Sequence, residues 1–116
     1  MKITEIKTTL LYDPDGFVVQ DATIPPIPSG TKGRSQLFVH IHTDEGTIGL
    51  GMAPGQRAIR EVIHQNLSGV LIGEDPFMIE KLWQDMFWRV RGFGRKGVAF
   101  QAIAAIDIAL WDLKGK

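Results

Sequence analysis

Two histidines lie two residues apart in a stretch that alternates between polar and apolar residues. His40 and His42 therefore share one face of a predicted strand, and Asp44 continues the same alternation. Imidazole and carboxylate groups at this spacing could hold a metal ion, but a third ligand is needed. A surface strand beside a turn often carries such residues for solvation alone. We therefore predict no metal site among these residues.

A second candidate for chemistry pairs His64 with Glu61, three residues earlier on a predicted helix. A carboxylate at this spacing could orient an imidazole as a general base. The same spacing is typical of an exposed ion pair on a helix surface, and we favour that interpretation.

Two carboxylates, Asp107 and Asp112, lie in the most apolar segment of the chain. Five residues separate them by about 140° around a helix, so they cannot converge as an acid–base pair. Each carboxylate needs a partner in such surroundings, either a basic side chain or a backbone N–H group. We predict a structural role for both.

Two further motifs have only a superficial likeness to anion sites. The glycine-rich run 46–51 lacks both a GxGxxG order and a Gly-Lys-Ser/Thr ending, so its glycines predict tight strand packing or a bulge. The basic stretch Arg91, Arg95 and Lys96 could bind an anion, although a solvated hinge is the commoner case. No serine or threonine lies in a nucleophile-elbow context, so we predict no catalytic residue in this chain.

Composition narrows the classes of function further. The 116 residues suit one domain, and 13 basic residues balance 13 acidic ones, which disfavours nucleic-acid and membrane partners. The absence of cysteine excludes disulfides, zinc-thiolate sites and thiol nucleophiles. A charged N-terminus without an apolar signal run predicts a soluble cytoplasmic protein.

Alternation of residue types predicts three strands, at residues 2–12, 36–43 and 47–52, with a hairpin turn at 44–46. Turn formers crowd residues 13–35, which predicts a long loop acting as a lid. Apolar spacing predicts one helix from about residue 57 to Ser68-Gly69 and a second one with Asp75 as N-cap and Pro76 as its first residue. The expected fold is α+β, a three-stranded antiparallel meander followed by a helical bundle.

The final predicted helix, Gly97 to Leu113, is apolar at thirteen of seventeen positions and on every side of its wheel. A helix of this kind is buried all round, yet three strands and two helices cover only about half of its circumference. We therefore expect a contiguous exposed apolar patch of several hundred Å² unless another domain or subunit covers it.

The segment 102–116, AIAAIDIALWDLKGK, closely resembles the signature helix of the mandelate racemase and muconate lactonizing enzyme family, within the enolase superfamily. The run VHIHTDEG at 39–46, followed by Gly49-Leu50-Gly51, is similar to the opening sheet of that family. The resemblance reaches no farther than the family's first domain. It implies that residues 1–116 form a capping domain, with 97–116 leading toward a (β/α)₈ barrel that these residues lack.

The resemblance also implies the chemistry of a parent enzyme. In this family a base removes the proton α to a carboxylate, and Mg²⁺ stabilises the enediolate, with metal ligands and bases on the barrel strands. Its implied partners are the barrel, a small carboxylate or acid-sugar substrate and further copies in a homo-oligomer. Lys114-Gly115-Lys116 imitates the family's Lys-x-Lys base pair, but it closes the signature helix, so it carries no catalytic role.

Family caps contribute two loops that close over the substrate, and their counterparts here are residues 13–35 and 52–57. By this resemblance we expect five residues to face substrate: Phe17, Val19, Ile24, Met52 and Arg57. Many relatives carry Glu where Met52 stands, so their polar contacts do not transfer. The expected function is the cap of an acid-sugar dehydratase or racemase. The alternative is a noncatalytic binding or oligomerisation module that uses the 97–113 helix.

Overall fold

The structure, a computed structural model, describes residues 1–16, 22–23 and 33–116. Three strands, β1 (Ile3–Asp13), β2 (Arg34–Thr43) and β3 (Ile48–Pro54), form one antiparallel sheet in the order β1-β2-β3. Gly46, at a φ of 83°, closes the β2–β3 hairpin at the predicted turn. The meander that the alternation predicts is therefore confirmed.

Helices follow the sheet and complete the α+β architecture. Helix α1 (Arg57–Val62) passes through a π-helical turn (Ile63–Leu67) into α2 (Ser68–Leu71), so the first helical segment extends beyond its predicted end. Helix α3 (Ile79–Arg89), a 3-10 turn (Arg91–Phe93) and α4 (Val98–Gly115) come next. None of the helices in the described part of the chain is long and apolar enough to cross a membrane.

The predicted start of the second helix is wrong by about one turn. Asp75 accepts hydrogen bonds from Phe77 N–H at its carboxylate (2.9 Å) and from Met78 N–H at its carbonyl (3.1 Å). These bonds close a separate turn, and α3 begins only at Ile79. An Asp-Pro pair suits the start of a β-turn as well as it suits a helix N-terminus, so this local motif does not distinguish the two.

One face of the sheet supplies six of the 22 buried apolar residues in the described part of the chain. Leu37, Val39 and Ile41 of β2 are fully buried against the helices, whereas the opposite face of the sheet carries Phe38 and His40 and is open. The twofold period of a strand produces this division, because successive side chains point to opposite faces.

The backbone of α4 lies directly on β3. A Cβ added at Gly51 would overlap the carbonyl oxygen of Ala105, and one added at Gly49 would overlap the carbonyl oxygen of Ala109. Both alanines are buried, and the Leu113 side chain also lies against Gly49. The prediction that the strand glycines serve tight packing is confirmed.

Side chains at the C-terminal end of α4 fasten it to the free edge of β3. The Asp112 carboxylate accepts hydrogen bonds from Leu50 N–H (2.8 Å) and from the Lys116 ammonium (2.7 Å). Lys116 Nζ also donates to the Ile48 carbonyl (2.7 Å). Asp112 thus has the basic and backbone partners predicted for it, and the Lys116 hydrogen bond, followed by that of Leu50, lowers its pKa. We call Asp112, Lys116, Ile48 and Leu50 the α4 clamp.

The outer side of α4 remains uncovered by the described residues. Eight of its residues are buried, but Ile108 and Trp111 are 51% and 53% exposed. Asp107 lies half-buried on this side, and burial raises its pKa. Within the described part of the chain no hydrogen-bond donor or cation contacts its carboxylate, contrary to the prediction that both carboxylates are paired. Partial exposure leaves water free to solvate it.

Replacing Gly51 by alanine tests the contact between α4 and β3. The added methyl group overlaps a helix carbonyl, so we expect Gly51→Ala to lower the free energy of unfolding by about 1–3 kcal/mol in urea titrations. Gly69→Ala is the matched control, because its Cβ would meet nothing within 4 Å and alanine favours a helix. Equal effects of the two substitutions would contradict the proposed role of Gly51.

The two carboxylates of α4 should affect stability with opposite signs. A lowered folded pKa means that ionised Asp112 stabilises the fold above its unfolded pKa, and that this contribution is lost as the pH falls through the folded value. The raised pKa of Asp107 means that its charge costs stability at neutral pH, a cost that disappears below its unfolded pKa.

We therefore expect Asp112→Asn to lower the urea midpoint at about pH 7, and Asp107→Asn to leave it unchanged or raise it. Both differences should shrink toward about pH 2, where both carboxyl groups are protonated in either state. Shifts of the same sign for both variants at neutral pH would be inconsistent with the clamp.

Candidate functional site

The first predicted loop begins and ends at one point of the sheet. The ladder between β1 and β2 continues to its last pair, Asp13 with Arg34. Beyond it, the Gly33 N–H donates to the Gly16 carbonyl (3.0 Å). The chain therefore leaves and re-enters the sheet at adjacent positions.

Gly33 has a position in this loop base that no other residue type fits. Its φ of 102° lies in the left-handed region, and an added Cβ would overlap the ring of Tyr12. A side chain at this position would be strained by the backbone and blocked by the ring. Tyr12 and Gly33 together define the base from which the loop leaves the sheet.

The second predicted loop lies beside the base of the first. Gln36 of β2 pairs with Pro54 of β3, and its side-chain amide donates to the Ala53 carbonyl. A Cβ added at Gly55 would overlap Ser35, a residue that follows the base of the first loop by two positions. Strand register therefore brings the 52–57 segment, of which only Gly55 and Gln56 lie outside β3 and α1, against the base of the 13–35 loop. We call this end of the sheet, where β1 and β3 end and β2 begins, the loop end.

Two of the five expected substrate-facing residues lie at this loop end. Met52 is opposite Phe38 on the open face of β3, where half of its surface is exposed. Arg57 is the first residue of α1 and is exposed, and it forms no ion pair with any residue that the structure describes. Phe17, Val19 and Ile24 lie outside the described residues.

The histidine pair has no third ligand among the residues that the structure describes. His40 and His42 share the open face of β2 as predicted, but Asp44 is in the hairpin turn and its carboxylate accepts from the Lys2 N–H (2.8 Å). Across residues 1–16, 22–23 and 33–116 there is no group of three side chains that could hold a metal ion. The described residues do not fit a Mg²⁺ site, and we derive no step through the metal from them.

The predicted ion pair between His64 and Glu61 is wrong. The Nε2 atom of His64 lies 2.7 Å from the Thr8 hydroxyl of β1, and the carboxylate of Glu61 is instead 3.8 Å from Arg60. His64 belongs to the π-helical turn, which is wider than an α-helical one and changes the angle between residues three apart. The imidazole therefore joins helix to sheet.

Four further basic side chains make contacts within the described chain. Lys116 is held in the α4 clamp, and the Lys114 ammonium is 5.0 Å from the centroid of the Trp111 ring. In the basic stretch, Arg95 lies 4.9 Å from the centroid of the Phe87 ring, and Arg91 donates to the Trp88 carbonyl (3.0 Å). Each of these contacts involves a basic side chain for which the sequence pattern alone allows an anion-binding or catalytic role.

Tyr12 and Gln36 were not identified from the sequence. Alternation places both on strands, but it does not say which glycine the tyrosine ring covers or which carbonyl the amide reaches. The turn-forming glycine at position 33, shortly before the second strand, is the one signal in the sequence that points to this loop base.

Comparisons with known proteins agree with this fold. Residues 17–116 match the sequence profile of the mandelate racemase / muconate lactonizing enzyme N-terminal domain. The whole chain is 36% identical to a D-galactarolactone cycloisomerase from Agrobacterium fabrum, and it covers 29% of that protein. It is also 48% identical to a D-galactonate dehydratase from Verminephrobacter eiseniae over 84 residues. The match covers 69% of this chain and 21% of the dehydratase.

A solved structure has the same architecture. The crystal structure of a racemase from Streptomyces coelicolor, with bound magnesium, superposes with a TM-score of 0.82 at 37% identity. The match covers 97% of this chain and 32% of the racemase chain. The chain thus spans about a fifth to a third of the length of these relatives, and over that length it belongs to the mandelate racemase and muconate lactonizing enzyme family of the enolase superfamily, as its N-terminal domain.

Proposed function

We propose that residues 1–116 form the capping domain of a Mg²⁺-dependent enolase-superfamily enzyme that removes the proton α to the carboxylate of an acid sugar. The observation that carries the proposal is the loop end, where strand register places the 52–57 segment beside the base of the 13–35 loop. In this proposal the cap contributes substrate specificity, and the acids and bases belong to a barrel domain of the same polypeptide.

The names of the relatives support the substrate class. One relative acts on a galactarolactone and another on a galactonate, both derivatives of sugar acids. Their reactions differ, one a cycloisomerisation and the other a dehydration, so the choice among cycloisomerase, dehydratase and racemase depends on residues outside this chain. A cytoplasmic location and a homo-oligomeric state belong to the same proposal.

Arg57 and Met52 have distinct tasks in the proposed site. Arg57 carries an exposed guanidinium without an ion-pair partner among the described residues, which suits a substrate carboxylate or hydroxyl group. Met52 presents a flexible apolar side chain that can pack against carbon atoms of a substrate. We assign Phe17, Val19 and Ile24 to substrate contact as well, and closure of the two loops would exclude water from the reacting centre.

One observation favours the alternative, a noncatalytic binding or oligomerisation module. Ile108 and Trp111 on α4 are exposed. The gene sequence after the codon for Lys116 distinguishes the capping domain from the module. A capping domain requires about 200 further residues of alternating strands and helices after Lys116, whereas a stop codon at that point would favour a module that pairs with another chain.

The full-length protein should convert acid sugars only with a divalent metal. We expect turnover of at least one member of a panel of aldonic and aldaric acids in the presence of Mg²⁺, measured by the loss of substrate or by exchange of the α-proton in deuterated water. A chelator should abolish the activity and added Mg²⁺ should restore it. Activity that is insensitive to the chelator would count against the assignment.

Substitutions at the loop end should change specificity without changing stability. Arg57→Gln is expected to lower kcat/KM for the active acid sugar by about tenfold or more, with an unchanged melting temperature. Met52→Ala should alter the ranking of substrates in the same panel. Arg60→Gln, on the same helix, is the matched control for loss of an exposed arginine. If Arg60→Gln lowered kcat/KM as much as Arg57→Gln, the proposed role of Arg57 would be lost.

A further inference from the structure

The Met52 side chain at the loop end has one direct neighbour across the sheet. The Leu50 N–H and the Ile48 carbonyl both point away from β2, toward the α4 clamp. Backbone groups of a strand alternate in direction from one residue to the next, so Met52 turns its own groups the same way as Leu50. Met52 and Phe38 are therefore a non-hydrogen-bonded pair of the β2–β3 ladder.

Side chains approach most closely at a pair of this kind. The Cβ atoms of directly opposed residues lie about 4.5–5.5 Å apart, at the shorter end when the pair is not hydrogen-bonded. On its other side Phe38 is opposite Thr9 of β1, and its diagonal neighbours are Leu11 and Leu50. Phe38 therefore lies in the middle of the open face, with Met52 as its direct neighbour on β3.

The two partners differ in burial and in stiffness. Phe38 is partly buried, whereas Met52 is 50% exposed. A phenylalanine side chain has two rotatable bonds and a methionine side chain has three, so the ring is the better defined of the two. A thioether sulfur also packs favourably near an aromatic ring, at about 5 Å from it. The ring is therefore the fixed partner, and the methionine adapts its conformation to the ring.

We propose that Phe38 is a positioning residue for Met52 and that its ring holds the thioether of Met52 in one conformation at the loop end. The inference rests on the proposed function, in which Met52 packs against carbon atoms of an acid sugar. In this arrangement Met52 touches the substrate and Phe38 does not. The ring determines which apolar surface the methionine presents, and through that surface it determines which carbon skeletons fit.

An unconstrained methionine would contribute little selectivity. Its flexible side chain can repack around substrates of different shape, as methionines do at promiscuous binding surfaces. Ordering the side chain when a substrate binds also costs conformational entropy. A ring that orders Met52 beforehand removes that cost for substrates of one shape, which lowers KM for them and leaves the chemical step unchanged.

The contact between the two side chains can be tested on the 116-residue chain by NMR. The ring current of Phe38 should displace the Met52 methyl signal from the position of a free methionine. Phe38→Leu should return the signal to that position, whereas Phe38→Tyr, which keeps the ring, should retain the displacement. Met78, which is 51% exposed and precedes α3, serves as internal reference. A Met52 signal that is the same in Phe38→Leu and in the unsubstituted chain would overturn the inference.

The positioning role can be tested on the full-length protein with its two best acid-sugar substrates. Phe38→Leu should change the ratio of their kcat/KM values by at least about fivefold, mainly through KM, and in the same direction as Met52→Ala. The double substitution should add nothing to the effect of Met52→Ala, because the ring acts only through the methionine. Phe38→Tyr should keep the original ratio.

A matched control comes from the same strand. His40→Ala truncates a ring on the same face of β2, opposite Leu50 and two residues farther from the loop end, and it should leave the ratio unchanged. The melting temperature of each variant verifies its folding. Phe38→Ile, which favours a strand, replaces Phe38→Leu if that variant unfolds.

The outcomes separate this inference from the proposed function. If Met52→Ala changed the ratio but Phe38→Leu did not, or if their effects were additive, the positioning role would be refuted and the substrate contact of Met52 would stand. An equal change in His40→Ala would also refute that role, since the loss of any ring from the open face would then suffice. If Met52→Ala left the ratio unchanged, the substrate contact in the proposed function would be wrong, and the role of Phe38 would fail with it.

Discussion

The contact between α4 and β3 determines how the rest of this domain is arranged. Gly49 and Gly51 remove the side chains that would hold a helix away from a sheet, and Ala105 and Ala109 do the same on the helix. The helix backbone therefore lies on the strand, which is closer than an ordinary side-chain-mediated packing permits. The α4 clamp then fixes the position of the helix along the strand, because Asp112 and Lys116 bond to backbone groups of β3 rather than to mobile side chains.

This close contact has a second consequence at the edge of the sheet. A free strand edge offers unpaired N–H and carbonyl groups to other chains, and proteins usually block such edges. Here the clamp occupies the Leu50 N–H and the Ile48 carbonyl with charged side chains. The Lys-Gly-Lys sequence, which imitates a catalytic pair, thus ends a helix and protects an edge. Its lysines are used for packing, and this agrees with placing the chemistry on another domain.

The two sides of α4 differ in how far they are buried. Its inner side is satisfied by the sheet and by the helical segment that begins at α1, whereas its outer side leaves Ile108, Trp111 and Asp107 in contact with solvent. The loop end, in contrast, depends on strand register. The pairing of Gln36 with Pro54 and of Asp13 with Arg34 brings the bases of the two predicted loops to one end of the sheet. The uncovered side of α4 and the loop end are therefore separated in space, which allows loops to vary without disturbing the helix contacts.

The sequence by itself determined the elements and the family. Alternation gave the three strands, apolar spacing gave the helices, and the glycine run predicted close packing, because each of these signals depends on residues within one or two turns of each other. Tertiary structure alone decided the partners. Thr8 rather than Glu61 meets His64, Leu50 meets Asp112 from 62 positions away, and the ring of Tyr12 covers Gly33. Such contacts follow from strand register and from a π-helical turn, neither of which leaves a periodic signal in the chain, and so the geometry of the loop end could not be read from the residues in order.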